Sequence, residues 1–122
     1  MPKTKPDPQR ERRIEQEIVV DAYDAEERAL GWHSYLEERL PFPFPGKCLA
    51  PRATSPLRQN QEVQIIGLAP AEECGHEMFV MITWEDRTLA VPLAQVEATQ
   101  ADKATKQAVA DWHYWVKQGY AF

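Results

Sequence analysis

The fold is decided by the stretch EMFVMITWEDRTLAVPL, residues 77–93. Two apolar segments, 77–84 and 87–93, flank the pair Glu85-Asp86, and a separation of two residues is typical of a tight β-hairpin. The first segment is apolar on both of its faces, so we expect helices to cover the outer surface of the sheet. Pro92 should end the second strand, since proline has no amide hydrogen to donate.

Shorter strand-like segments lie on either side of this hairpin. Residues 46–50 and 62–69 precede it, and residues 94–98 follow it as a turn and a short closing strand. The alternation within 62–69 slips at Ile65-Ile66 beside Gly67, as a β-bulge would produce. Four or five short antiparallel strands are typical of a small curled barrel, so we predict an SH3-like β-barrel over residues 46–98.

Helical periodicity flanks the predicted barrel. Apolar residues recur at spacings of three and four in residues 11–40 and again in residues 102–118, namely Ala25, Ala29, Trp32, Leu36 and Leu40, then Ala108, Val109, Trp112, Trp115 and Val116. Asp24 followed by Glu27 matches a capping box, so the first helical segment should break near Tyr23. The prolines of PFPFP, residues 41–45, should end that helix. The predicted fold class is therefore α+β, with a barrel flanked by an N-terminal helical segment and a C-terminal helix.

Length and composition allow one compact domain. The 122 residues are 43% hydrophobic and 27% charged, and no apolar run approaches the roughly 18 residues of a membrane helix. Residues 1–10 hold three prolines and no periodicity, so we predict a disordered leader there and a single domain over 11–122. No apolar segment follows the N-terminal charges, and two cysteines do not form a disulfide scaffold. We expect a cytoplasmic protein without a membrane partner.

The charge is unevenly distributed. The net charge is −5, yet residues 1–13 contain five of the fourteen basic residues. In residues 15–38, eight carboxylates face only Arg28. Such a surface repels phosphate backbones and attracts cations, and a nucleic-acid role would depend on the short basic N-terminus alone. We therefore expect no nucleic-acid partner.

The first candidate ligand cluster is Asp21, Asp24, Glu26 and Glu27, of which Asp21, Asp24 and Glu27 are the predicted metal ligands. Calcium takes about six to eight oxygen ligands, so a site needs several carboxylates together with carbonyls and water. Asp24 and Glu27 are neighbours on one helix face, and a break near Tyr23 would let Asp21 approach them. The spacing of an EF-hand loop is absent. The alternative is that Asp24 only caps the helix while its neighbours complement the helix dipole.

A second candidate cluster is Glu72, Glu73 and Glu77, in the loop before the central strand. Backbone carbonyls of this loop could add ligands, although a plain solvated acidic loop is an equally good interpretation. The pair Glu85-Asp86 lies at the other end of that strand, about 24 Å away. Ordinary turn chemistry explains that pair better than metal binding does.

Zinc binding and catalysis find little support in the sequence. The residues that could bind zinc are Cys48, Cys74, His33, His76 and His113. Of these, Cys74 and His76 form a single close pair, and no Cys-x-x-Cys occurs. Cys48 is expected to be a buried thiol. No nucleophile elbow and no glycine-rich phosphate loop is present in a chain with five glycines. We predict that the protein is not an enzyme.

Several landmarks occur together in one order. They are IVVDAYDAEERALGW at residues 18–32, YLEE at 35–38, FPF at 42–44, Cys48, and VPL at 91–93. Together they resemble the cyanobacterial calcium-binding protein family, a small acidic family without EF-hands, and the likeness runs from about residue 18 to 97. The resemblance implies a bacterial protein that binds Ca²⁺ through surface carboxylates, as a buffer or a signal. It implies no catalysis.

The alternative function is an SH3-like protein-interaction module that binds a protein partner and no metal. Its basis is a set of aromatic residues that could pack in the core or, if exposed, bind a peptide. The set comprises Trp32, Tyr35, Phe42, Phe44, Trp112 and Trp115.

Overall fold

The computed structural model describes residues 7–20, 22–53 and 55–118. Its elements are α1 (Pro8–Arg13), a π-helical turn (Ile14–Ile18), α2 (Ala25–Arg39), β1 (Phe44–Cys48), β2 (Glu62–Leu68), a 3₁₀ turn (Ala71–Glu73), β3 (Phe79–Trp84), β4 (Arg87–Pro92), a second 3₁₀ turn (Leu93–Gln95), β5 (Val96–Ala98) and α3 (Lys103–Lys117). The predicted α+β class is confirmed.

The strands form one antiparallel sheet in the order β4-β3-β2-β1-β5. The predicted hairpin pairs Trp84 with Arg87 across the turn, where Glu85 adopts a left-handed conformation with φ of 43°. The predicted bulge is also present, because the pairing of β2 with β3 shifts between Ile65 and Gly67. β1 begins at Phe44, earlier than predicted, and the Pro45 carbonyl accepts a hydrogen bond from the Thr99 amide at 3.0 Å.

The predicted closure into an SH3-like barrel is not found. β4 and β5 are the two edges of the sheet, and no pairing joins them in the part of the chain that the structure describes. All six residues of β4 pair with β3, and β5 has only three residues, all paired with β1. A short β5 and a β4 that ends in Pro92, which lacks an N–H donor, offer little for closing the sheet.

The chain is ordered earlier than the predicted leader of residues 1–10 allows. Asp7 caps α1 by accepting the Arg10 amide at 3.1 Å, and Pro8 occupies the first turn, where its missing N–H costs nothing. The helical region therefore begins at Pro8 and not at residue 11. Residues 1–6 lie outside the described residues.

The core lies between the sheet and the two long helices. Trp32 of α2 is fully buried, and its ring meets Tyr35, Trp112 and Trp115 at centroid distances of 6.0, 5.0 and 5.5 Å. The apolar side predicted for the C-terminal helix faces this cluster, which confirms the periodicity argument. Within the described ranges, no helix has the length and apolar character needed to cross a membrane.

Candidate metal centre

The start of α2 is held by a reciprocal capping box. Asp24 is the N-cap, and its Oδ1 accepts the Glu27 amide at 2.8 Å. Glu27 Oε2 in turn accepts the Tyr23 amide at 3.3 Å. Both carboxylates are exposed. The predicted helix break near Tyr23 is confirmed, and the two bonds satisfy amides that the first helical turn leaves without partners.

The capping box leaves one oxygen of each carboxylate available to coordinate a cation. Asp24 and Glu27 each use one carboxylate oxygen in these bonds, and their second oxygens accept no hydrogen bond from the described residues. Asp21 lies outside the described residues. Among residues 7–20, 22–53 and 55–118, no three His, Cys, Asp or Glu side chains converge on one point. An ion held by Asp24 and Glu27 therefore needs Asp21, backbone carbonyls or water as further ligands.

The loop cluster is divided between two environments. Glu72 and Glu73 are exposed on the 3₁₀ turn Ala71–Glu73. Glu77 instead forms an ion pair with Arg52, whose Nη1 lies 3.2 Å from Oε1 and 3.5 Å from Oε2. Among the residues that the structure describes, these three glutamates do not converge as a metal site. Arg52 compensates the charge of Glu77.

His33 connects α2 to the loop that carries Glu72 and Glu73. Its Nε2 donates to the Ala69 carbonyl at 2.8 Å, and its Nδ1 lies 3.5 Å from Oε2 of Glu37. The 3₁₀ turn consequently packs against α2. The loop with Glu72 and Glu73 is thereby attached to the middle of α2, the helix that begins at the capping box.

The soft ligands considered for zinc are engaged separately. Cys48 and Cys74 are free, buried thiols. Burial raises the pKa of Cys74, whose sulfur accepts the Phe79 amide at 3.5 Å. His113 bonds the Leu93 carbonyl at 3.1 Å, and burial lowers its pKa. Cys74 and His113 thus each have a local partner, and Cys48 lies buried in the core.

The sequence analysis missed a charged cluster centred on Asp111. This carboxylate is fully buried and receives Arg13 Nη2 at 2.6 Å, Arg13 Nε at 3.1 Å and the Tyr35 hydroxyl at 3.0 Å. Arg10 Nε lies 3.3 Å away. Burial, together with the neighbouring Asp111 charge, raises the pKa of Tyr35 to about 12.

Arg10 and Arg13 therefore do not form the free basic N-terminus that the charge count suggested. They join α1 to α3. The signal was present in the sequence, because Asp111 lies three residues after Ala108 and four before Trp115, on the apolar face of the helix. A carboxylate at such a position needs a buried partner.

Comparison with known proteins identifies the family. The sequence pattern of the CcbP family, described as calcium binding, matches residues 12–116. A solved structure described as the crystal structure of Anabaena CcbP is 43% identical, with 100% of both chains covered and a TM-score of 0.87. Another, described as a calcium binding protein in the calcium-binding form, is 41% identical over 95% of each chain, with a TM-score of 0.85.

No curated protein sequence matches the chain. The family pattern nevertheless spans α2, the sheet and nearly all of α3. Both solved structures superpose over essentially the whole fold at identities above 40%. The chain therefore belongs to the CcbP family of calcium-binding proteins.

Proposed function

We propose that the protein binds Ca²⁺ through the carboxylates of Asp21, Asp24 and Glu27 at the start of α2, and acts as a calcium buffer or sensor and not as an enzyme. The observation that carries the proposal is the match to the calcium-binding family over residues 12–116, which includes this segment. The similarity to a structure described as being in the calcium-binding form supports the choice of ion.

The local geometry supports a cation at this position. The capping box fixes Asp24 and Glu27 one helical turn apart, so little ordering remains to be done when an ion binds. The helix N-terminus contributes only about half a positive charge, which three carboxylates outweigh. Carboxylates held close together repel one another, and a bound cation relieves that repulsion.

Glu72 and Glu73 form a second candidate site. They are exposed, adjacent and carried on a turn that packs against α2. Glu77 would join them only by leaving Arg52. Variants of this loop therefore serve as the comparison for variants of the α2 site.

The protein-interaction alternative based on aromatic residues loses its support. Five of the six aromatic residues on which it depended are buried, and Phe42 is partly buried against the core. They are Trp32, Tyr35, Phe44, Trp112 and Trp115. A peptide could not reach these rings without unfolding the domain.

We propose a cytoplasmic location for the protein. Cys48 and Cys74 are both free thiols in the core. Unpaired buried cysteines are typical of reducing compartments, where disulfides are not maintained.

Calcium-dependent stability of two charge-matched variants tests the site. Calcium at a hundredfold excess over its Kd should stabilise the wild type by about 2.7 kcal/mol. Asp21→Asn with Asp24→Asn should abolish most of this gain, whereas Glu72→Gln with Glu73→Gln removes the same charge and should retain it. Asn still caps a helix, so the metal-free stability should change little.

If calcium stabilised the Asp21→Asn, Asp24→Asn variant but not the Glu72→Gln, Glu73→Gln variant, the site would lie in the loop. An equal response in both would place the ligands elsewhere. A wild type that calcium does not stabilise would reject the proposed function.

A further inference from the structure

We propose that one side of the molecule, formed by α3 and α1, is a docking surface for an acidic segment of a partner protein. We call it the basic face. Its cations are Arg10, Arg13, Lys47, Lys103, Lys106 and Lys117. They come from three distant parts of the sequence, and only the fold brings them together.

The basic face is indented by three adjoining hollows of about 470, 420 and 220 Å³. Ala110, in the middle of α3, contributes to the wall of all three. The walls carry six cations and two carboxylates, Asp7 and Glu97, and the buried Asp111 pairs with Arg10 and Arg13. Six positive charges against these three negative charges leave the basic face with a net positive charge. Cations that surround a concave surface focus its positive potential and attract anionic groups.

Several of these cations are available to a ligand. Lys103, Lys106 and Lys117 are exposed and form no ion pair within the described ranges. Lys47 is held more weakly, since its Nζ lies 3.5 Å from Glu97 Oε1 on an exposed part of the surface.

The two arginines of the basic face are already held in fixed positions. Arg13 is fixed by two bonds to the buried Asp111, and Arg10 lies against the same carboxylate. A side chain that is already fixed loses less conformational entropy when it contacts a ligand.

The dimensions and charge favour an acidic peptide over a nucleic acid. Lys103 and Lys117 are fourteen residues apart on one helix, about 21 Å at 1.5 Å per residue. An extended segment of about six residues spans that length. The chain as a whole carries a net charge of −5, so a long nucleic-acid backbone would be repelled outside the basic face.

Fluorescence anisotropy with a labelled peptide of alternating aspartate and glutamate tests the proposal. The full chain is used in chelator, so the result is independent of calcium binding. Lys103→Gln with Lys106→Gln should raise the Kd about tenfold, because both cations line the hollows. Arg58→Gln with Arg87→Gln removes the same charge from exposed positions outside the basic face and should leave the Kd within about twofold.

A third variant is expected to strengthen peptide binding instead of weakening it. Glu97→Gln removes the carboxylate that competes for Lys47, so it should tighten peptide binding. If both double variants weakened peptide binding equally, the effect would come from net charge alone, and the proposal would be overturned. Tighter binding to a DNA oligonucleotide of equal charge, or no peptide binding at about 0.1 M salt, would overturn it as well.

Discussion

Asp111 connects three parts of the chain through one buried carboxylate. It lies on α3, receives Arg13 from the end of α1, and accepts the Tyr35 hydroxyl from α2. A buried charge is tolerated only where partners and hydrogen bonds compensate its desolvation, and here both oxygens have them. The first helix is thereby attached to the rest of the domain.

We predict that Asp111→Asn lowers the free energy of unfolding by about 3 kcal/mol, because it leaves the guanidinium of Arg13 without its counter-charge in a partly buried site. Denaturant unfolding measures the change. The control is Glu17→Gln, which breaks the exposed pair of Glu17 with Arg39 at 3.4 Å and should cost less than about 1 kcal/mol.

A spectroscopic titration separates the role of Asp111 from general damage to the core. The pKa of Tyr35, about 12 in the native protein, should fall in Asp111→Asn because a negative neighbour that disfavours tyrosinate has been removed. A folded Asp111→Asn variant with an unchanged Tyr35 titration and unchanged stability would contradict this account of the cluster.

Individual ligand residues were only partly predictable. The Asp24–Glu27 capping box follows from a spacing of three residues, and local spacing is what a sequence displays directly. Glu77 and Arg52 are twenty-five residues apart in the sequence, so no local sequence pattern predicts that they pair. The same is true of Arg13 and Asp111, which are ninety-eight residues apart.

At the scale of elements, α2 approaches the π-helical turn Ile14–Ile18 at a glycine. A Cβ built on Gly31 would overlap the Ile18 carbonyl oxygen. Ile18 is itself buried in the core beside this crossing. The absence of a side chain at Gly31 therefore sets how closely the two helical segments pack.

Gly31→Ala should destabilise the protein by about 2 kcal/mol, because the added methyl group forces α2 away from the turn. Alanine has the better helix propensity by about 1 kcal/mol, so the sign of the effect distinguishes packing from propensity. Thermal unfolding measures it. Gly75→Ala is the control, since its added Cβ would meet nothing within 4 Å, and a stabilised Gly31→Ala protein would show that the close approach is not needed.

Elements with local signals were predicted well, and the closure of the sheet was not. The hairpin turn at Glu85, the bulge beside Gly67 and the apolar face of α3 each follow from spacing. Whether the two edges of a sheet meet depends on twist and on strand lengths. The length of β5, which is three residues, could not be predicted from the sequence. Residues 94–98 contain a turn as well as the strand, so too few residues alternate to define where the strand begins.

At the scale of the whole molecule, acidic and basic residues are concentrated on different elements. Exposed carboxylates occur at the start of α2 and on the turn Ala71–Glu73, whereas the basic face of α3 and α1 contains six cations. The net charge of −5 conceals this separation. A cation and an acidic partner would therefore be attracted to different parts of the surface.

Calorimetric titration of chelator-treated protein with Ca²⁺ tests the central claim most directly. We predict saturable binding in the wild type and a large loss of affinity in Asp21→Asn with Asp24→Asn, because calcium requires charged oxygen ligands. An absence of binding in the wild type, or an unchanged isotherm in the variant, would contradict the account.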